Sequence, residues 1–184
     1  MRKNQKGFSL IELLIVVAII LIIAAIAIPN LLRSKMAANE ASAVGSIRTI
    51  VTASITYNTT YGNQFEPTLA TLGPPAAAAP ATCNAAGLLD PLLAGTLPAT
   101  ANPQKSGYKF TYTPTGAPTA PPPGVCAAGN AGFVIATKPI TPGTTGNRSF
   151  CSDETGVLYT DPTGAVLAAT EAACEALTPL GQGQ

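Results

Sequence analysis

The chain has no histidine and no tryptophan, and only 10% of its 184 residues are charged. Without histidine there is no Ser-His-Asp or Cys-His arrangement and no imidazole to carry protons or hold a metal. A zinc site would need all four thiolates, yet Cys83, Cys126, Cys151 and Cys174 are widely spaced and form no Cys-x-x-Cys. The glycines follow no phosphate-cradling spacing. The Lys and Arg residues form no basic stripe, which argues against nucleic acid as the main ligand. These absences argue against an enzyme and leave structural and binding roles in front.

What is present in excess is a single apolar run. Residues 7–28 read GFSLIELLIVVAIILIIAAIAI, and every residue from 13 to 28 is apolar. About 20 such residues suffice to cross a bilayer. Arg2, Lys3 and Lys6 precede the run, so the positive-inside rule puts the N-terminus in the cytoplasm and exports the rest. Loss of those three cations would turn a net charge of +1 into about −2. Inside the run sits Glu12, four residues after Phe8. A carboxylate in a membrane segment costs roughly 2.5–3.5 kcal/mol near the bilayer centre and less near its edge. Its place therefore asks for a cation, and a cut between Gly7 and Phe8 would make one, the α-amino group of Phe8. A Sec signal cut at Ala25-Ile26-Ala27 and a plain single-span anchor compete with this reading, but both leave Glu12 unexplained.

Lys6-Gly7-Phe8-Ser9-Leu10-Ile11-Glu12 resembles the processing site of type IV pilins and pseudopilins. The resemblance is close from Lys6 to about Asn30, weaker to about Tyr61, and beyond that one of general layout. It implies processing at Gly7 and methylation at Phe8 by a prepilin peptidase, and assembly through Glu12 paired with the Phe8 amine of a neighbouring subunit. Pro29 falls where many members carry a helix-kinking proline, and it removes a backbone hydrogen bond wherever it sits in a helix. Leu21 stands where many members have a glycine. The implied fold is α+β, a long N-terminal helix packed on a C-terminal antiparallel sheet. The implied organisation is a leader over 1–7, a transmembrane and filament-core helix over 8–29, an amphipathic helix over 30–61, and a globular head with a Pro/Ala-rich loop over 62–184.

The function this resemblance implies is that of a structural pilus subunit serving adhesion, motility or DNA uptake. Its partners would be membrane lipid first, then the prepilin peptidase, the inner-membrane assembly machinery and further copies of itself in a helical filament. Its place would be the inner membrane, then a periplasmic or extracellular filament. A pseudopilin of type II secretion and a minor pilin with a tip or adhesion role are the alternatives, and an exported enzyme with an uncleaved anchor is one from another class.

Further along, Val44, Ile47, Val51 and Ile55 form an i, i+3, i+4 stripe suited to a sheet, with Arg33, Lys35, Asn39, Glu40, Ser46 and Arg48 mostly off it. Tyr57, Tyr61 and Phe65 read as core. Residues 62–106 read as loop, with low complexity over 73–80 and a weak helical turn near 88–94. Strands are expected over 108–112, 133–137, 147–151 and 157–160, with an exposed turn over 113–124. Asp153-Glu154-Thr155-Gly156 has turn chemistry that makes the last two strands a hairpin. A short helical patch is expected over 171–176.

Four cysteines in an exported segment suggest disulfides, and three connectivities are possible. The favoured pairing is Cys83–Cys126 with Cys151–Cys174; the second would tie the C-terminal tail to a strand, as the disulfide-bounded loop of many pilins does. No cofactor or metal is expected. Calcium is an option at Asp153, Glu154 and Asp161, by resemblance to the major pseudopilins of type II secretion, although these residues also suit turn caps that face water.

Overall fold

The computed structural model describes residues 8–181 except 63, 78, 98, 100, 101, 118–125, 127 and 166–169. The leader, with Gly7, lies outside the described residues. The chain divides into two compact units, Met1–Lys35 and Met36–Gln184. Helix α1, Leu10–Thr60, contributes to both.

In the first unit the helix is apolar on every side. Its most apolar window has a mean hydropathy of 3.3, with none of it buried. Leu10, Ile15, Ile20 and Ile26 are all more than half exposed. A helix with no polar face has no direction in which to hide, and this one is long and apolar enough to cross a membrane. Helical structure continues through Pro29.

The second unit is built on a six-stranded antiparallel sheet: β1 (Gln104–Lys105), β2 (Tyr108–Thr115), β3 (Gly132–Pro139), β4 (Ser149–Asp153), β5 (Leu158–Asp161) and β6 (Thr178–Pro179). The strands follow one another in chain order, a meander, so each pairing is with a sequence neighbour. Inward-facing Tyr108, Phe110, Phe133, Ile135, Phe150 and Leu158 share one core with Ala43, Ile47, Ile50, Val51 and Tyr57 of α1. The outward face of β3 and β4 carries a smaller cluster, Val134, Ala136 and Cys151, capped by Cys174 of the short helix α2 (Glu171–Glu175).

The buried helix face differs from the expected stripe. Ile55 is 44% exposed, whereas Glu40, Ser46, Ile50 and Ser54 are buried. At 100° per residue, Glu40, Ile47 and Ser54 lie seven apart on one line, while Ile55 sits at the margin. Apolar spacing alone missed this because two of those three are polar.

Two strands also start or end elsewhere than expected. Asn147 and Arg148 are not in β4. Their N–H groups donate to the Glu40 carboxylate at 2.9 and 3.3 Å, so they are unavailable to the ladder. β2 runs on past Tyr112 to Thr115, with Pro114 opposite Phe133. β1 covers Tyr108 and Lys109 and the Phe110 N–H donates to the Pro103 carbonyl at 2.8 Å; Pro114 lies beyond these contacts, where a residue without an N–H is tolerated. β1 and β6, two residues each, are too short to show any periodicity in sequence.

Residues 62–106 hold more core than a loop reading allows. A 3-10 turn (Leu69–Leu72) buries Leu69 and Leu72, and Leu89 and Leu93 join them. The weak helical turn expected near 88–94 is a single turn: the Ala94 N–H donates to the Asp90 carbonyl at 3.0 Å, and the Asp90 carboxylate accepts from the N–H groups of Leu92 and Leu93, both at 3.0 Å. The Ala86 and Leu88 N–H groups donate to Thr71 and Leu72 carbonyls, which folds this segment back on itself. Both favoured disulfides are formed, Cys83–Cys126 and Cys151–Cys174, with Cα separations of 5.6 and 5.9 Å. The second fastens α2 to β4. Bridges closing loops of this size each contribute roughly 3 kcal/mol.

Candidate functional site

The N-terminal segment is organised around Ser9. Its carbonyl accepts from the Leu13 N–H at 3.3 Å, opening the helix, and its own N–H donates to Glu12 Oε2 at 3.0 Å. This is one arm of a capping box, Ser-x-x-Glu, in which the third helical residue reaches back to the cap. The Ser9-x-x-Glu12 signal is legible in the sequence and overlaps the processing motif. Glu12 thus has a structural task at the helix start as well as a charge to neutralise. Phe8 is 82% exposed, and Glu12 makes no ion pair among the described residues. The open Phe8 ring, a carboxylate one turn on and an uninterrupted apolar cylinder behind them form a continuous exposed surface.

In the head, the carboxylates are used internally. Glu40 of α1 meets Arg148 at the threshold of β4: Arg148 Nη2 and Nε donate to Glu40 Oε2 at 2.7 and 2.8 Å. Burial pushes the Glu40 carboxyl up, but the Asn147 N–H, the Arg148 side chain and the Arg148 N–H together hold it below the usual range. This pair and its two backbone contacts tie the helix to the sheet at a fixed register.

The three calcium candidates are not brought together. Asp153 is buried and accepts from the Thr155 N–H at 3.0 Å and from the Thr155 hydroxyl, closing the β4–β5 turn. Asp161 accepts from the Thr163 N–H at 2.9 Å and pairs with Ser149, at the opposite end of β4 from Asp153. Glu154 turns instead toward Glu171: a Cβ placed on Gly132 would lie 3.0 Å from Glu154 Oε2 and 3.0 Å from Glu171 Oε1. The Thr115 hydroxyl donates to Glu171 Oε1. Glu171 is far from the hairpin in sequence, so only the fold reveals the approach. Among the described residues no group of three or more cysteine or acidic side chains is placed to hold a metal ion. The aromatic series is core: the Tyr57 and Tyr61 rings are 4.9 Å apart, and Phe65 meets Phe133 at 5.1 Å.

Comparison with known proteins bears on the N-terminal segment. The prokaryotic N-terminal methylation motif matches residues 2–28. The chain is 63% identical over 38 residues to the type IV wide pilus major component PilA4 of Thermus thermophilus, covering 21% of this chain and 29% of that protein. It is 46% identical over 50 residues to the type IV major pilin protein PilA of Myxococcus xanthus, covering 27% of this chain and 23% of that one. The chain thus aligns with less than a third of the length of each curated relative it matches. No solved structure matches it significantly. Motif, apolar helix and both relatives show that this N-terminal segment is similar to that of type IV pilins.

Proposed function

We propose that the protein is a structural subunit of a type IV pilus. The observation that carries this reading is the wholly exposed apolar half of α1, headed by Phe8 and interrupted only by Glu12. In the membrane the cylinder is solvated by lipid. In the filament the same cylinder is covered by its counterparts from other subunits, and apolar burial at about 25 cal/mol per Å² supplies the cohesion. That cohesion is non-directional, so a polar contact has to set the register. Cleavage after Gly7 frees the Phe8 amine, and this cation pairs with the Glu12 carboxylate of a neighbouring subunit, cancelling two desolvated charges. Pro29, inside the helix, removes a backbone hydrogen bond and gives the packed helices a place to bend. Both relatives are pilus components, which favours the pilus over a secretion pseudopilin.

Intact-mass spectrometry of isolated filaments tests the reading. The expected mature chain begins at N-methylated Phe8. A chain beginning at Ile28 would instead identify a Sec signal and remove the assembly segment altogether.

A further inference from the structure

Glu66 is a fully buried acidic residue of the head with no ion-pair partner among the described residues. Its relative exposure is 0%, and neither ion pair of the described residues involves it. The groups around it are polar but uncharged. From α1 come Ser54 and Tyr57, with Tyr61 against the Tyr57 ring. From β2 comes Tyr112, whose hydroxyl donates to the Glu66 backbone carbonyl at 2.8 Å. From the chain entering β3 comes Asn130, whose Nδ2 donates to the same carbonyl at 3.2 Å.

The local geometry favours a neutral carboxyl. Ser54 Oγ lies 2.6 Å from Glu66 Oε1 and 3.0 Å from the Ile50 carbonyl oxygen. A serine hydroxyl has one proton to give. If the carboxyl is ionised, that proton serves either Glu66 or Ile50, and the other contact is two acceptors face to face. If Oε1 carries a proton, it donates to Ser54 Oγ, Ser54 donates to Ile50, and both contacts are filled. The second oxygen, Oε2, has no hydrogen-bond partner among the described residues. As half of a buried anion it would be strongly unfavourable; as the carbonyl oxygen of a neutral acid it costs far less.

Glu66 also sits in a clasp. Phe65 and Asn130 exchange backbone hydrogen bonds at 2.9 and 3.0 Å, and Gln64 Oε1 accepts from the Gly129 N–H at 2.9 Å. Residues 64–66 thus hold the chain just ahead of β3 against the end of α1. We propose that Glu66 is a proton-operated latch: neutral, it locks this clasp onto the helix, and ionised, it loosens the clasp while the sheet stays folded.

Burial pushes the carboxyl up from 4.5 to about 7, against the pull of Ser54, the Glu66 N–H and Tyr112. The folded value is raised, so the stabilisation is whole below the unfolded value of 4.5 and is lost as pH rises to about 7. An exported head would therefore have a clasp that responds to external pH near neutrality.

Hydrogen exchange on the full-length protein in detergent micelles tests the latch. After correction for intrinsic rates, opening at the Phe65 and Asn130 amides should rise on the order of a hundredfold between about pH 5 and about pH 8, while amides within β3 and β4 change little. Glu66→Gln, which keeps the shape and removes the titration, should flatten that dependence. An equal pH dependence in the variant overturns the proposal. Should the variant not fold, infrared spectroscopy of the unaltered protein decides. A protonated-carboxyl band still present at about pH 5.5, where ordinary carboxyls are ionised, that disappears as pH rises through neutrality supports the latch, and its absence at about pH 5.5 overturns it.

Discussion

The two stretches of α1 share one backbone and differ in what they hide. Over residues 10–28 nearly every side chain is apolar and none of the most apolar window is buried. Over residues 40–57 the composition is mixed, with serines, threonines and a glutamate, yet nine side chains are buried. Apolarity and burial are therefore separate properties. A helix that is apolar all round has no preferred face and needs an external partner, lipid or copies of itself. A helix with one suitable face selects one surface, and here Ala43, Ile47, Ile50 and Tyr57 select the inner face of the sheet. The two stretches should respond differently to the same change.

The sharpest break in the comparison is at Glu12. Glu12→Ala should reduce filament yield by more than about tenfold, since the loss of about 1.4 kcal/mol per contact already gives that factor. Membrane-fraction abundance and thermal unfolding of the head should be unchanged. Glu12→Gln sharpens the test, because its amide oxygen still accepts from the Ser9 N–H while its charge is gone. Filament loss in both variants assigns the effect to charge; loss in alanine alone assigns it to the cap.

Ile50→Ala and Ile20→Ala form the matched pair. Ile50 is fully buried, so its truncation should destabilise the head by roughly 2–5 kcal/mol in a denaturant titration. Ile20 is 58% exposed, and its truncation should leave head unfolding within about 0.5 kcal/mol of wild type. Equal effects at both sites would erase the distinction between the two stretches.

A smaller loss is expected at the C-terminal fastening. Replacing Cys151 and Cys174 together by serine should cost about 3 kcal/mol, most of it read as earlier unfolding. Non-reducing peptide mapping of the unaltered protein should find no free thiol.

The smallest effect concerns the ion pair that fixes the helix register. Arg148→Ala should destabilise by about 1–3 kcal/mol, because Glu40 keeps its backbone donors but loses its cation. Glu40 is held below its ordinary value by Asn147 and Arg148 in spite of burial, so its contribution is present above the unfolded value of 4.5 and is lost as pH falls through the folded one. Glu66 has the opposite sign. Acid should therefore weaken the Glu40 tie while it tightens the Glu66 clasp. Stability measured against pH in Arg148→Ala and Glu66→Gln separates the two slopes.

The sequence by itself determined whatever depends on near neighbours along the chain. The processing motif, the apolar run and the Asp153–Gly156 turn are all local patterns, and each is read from a handful of consecutive residues. Even the cap at Ser9 was there to be read, three residues from Glu12. The strands 133–137 and 157–160 were legible because β-branched and aromatic residues gather there between turn residues. Contacts between residues distant in sequence became visible in the folded chain alone. Glu40 looked like a solvent-facing residue until the fold set Arg148, 108 positions away, beside it. Leu72, Leu89 and Leu93 lay in a proline-broken segment with no period, and their burial follows from the shape of the sheet and helix they cover. Glu66 carried no motif at all. Burial raises its carboxyl against the pull of Ser54 and Tyr112, and burial of that kind exists only once the core has closed.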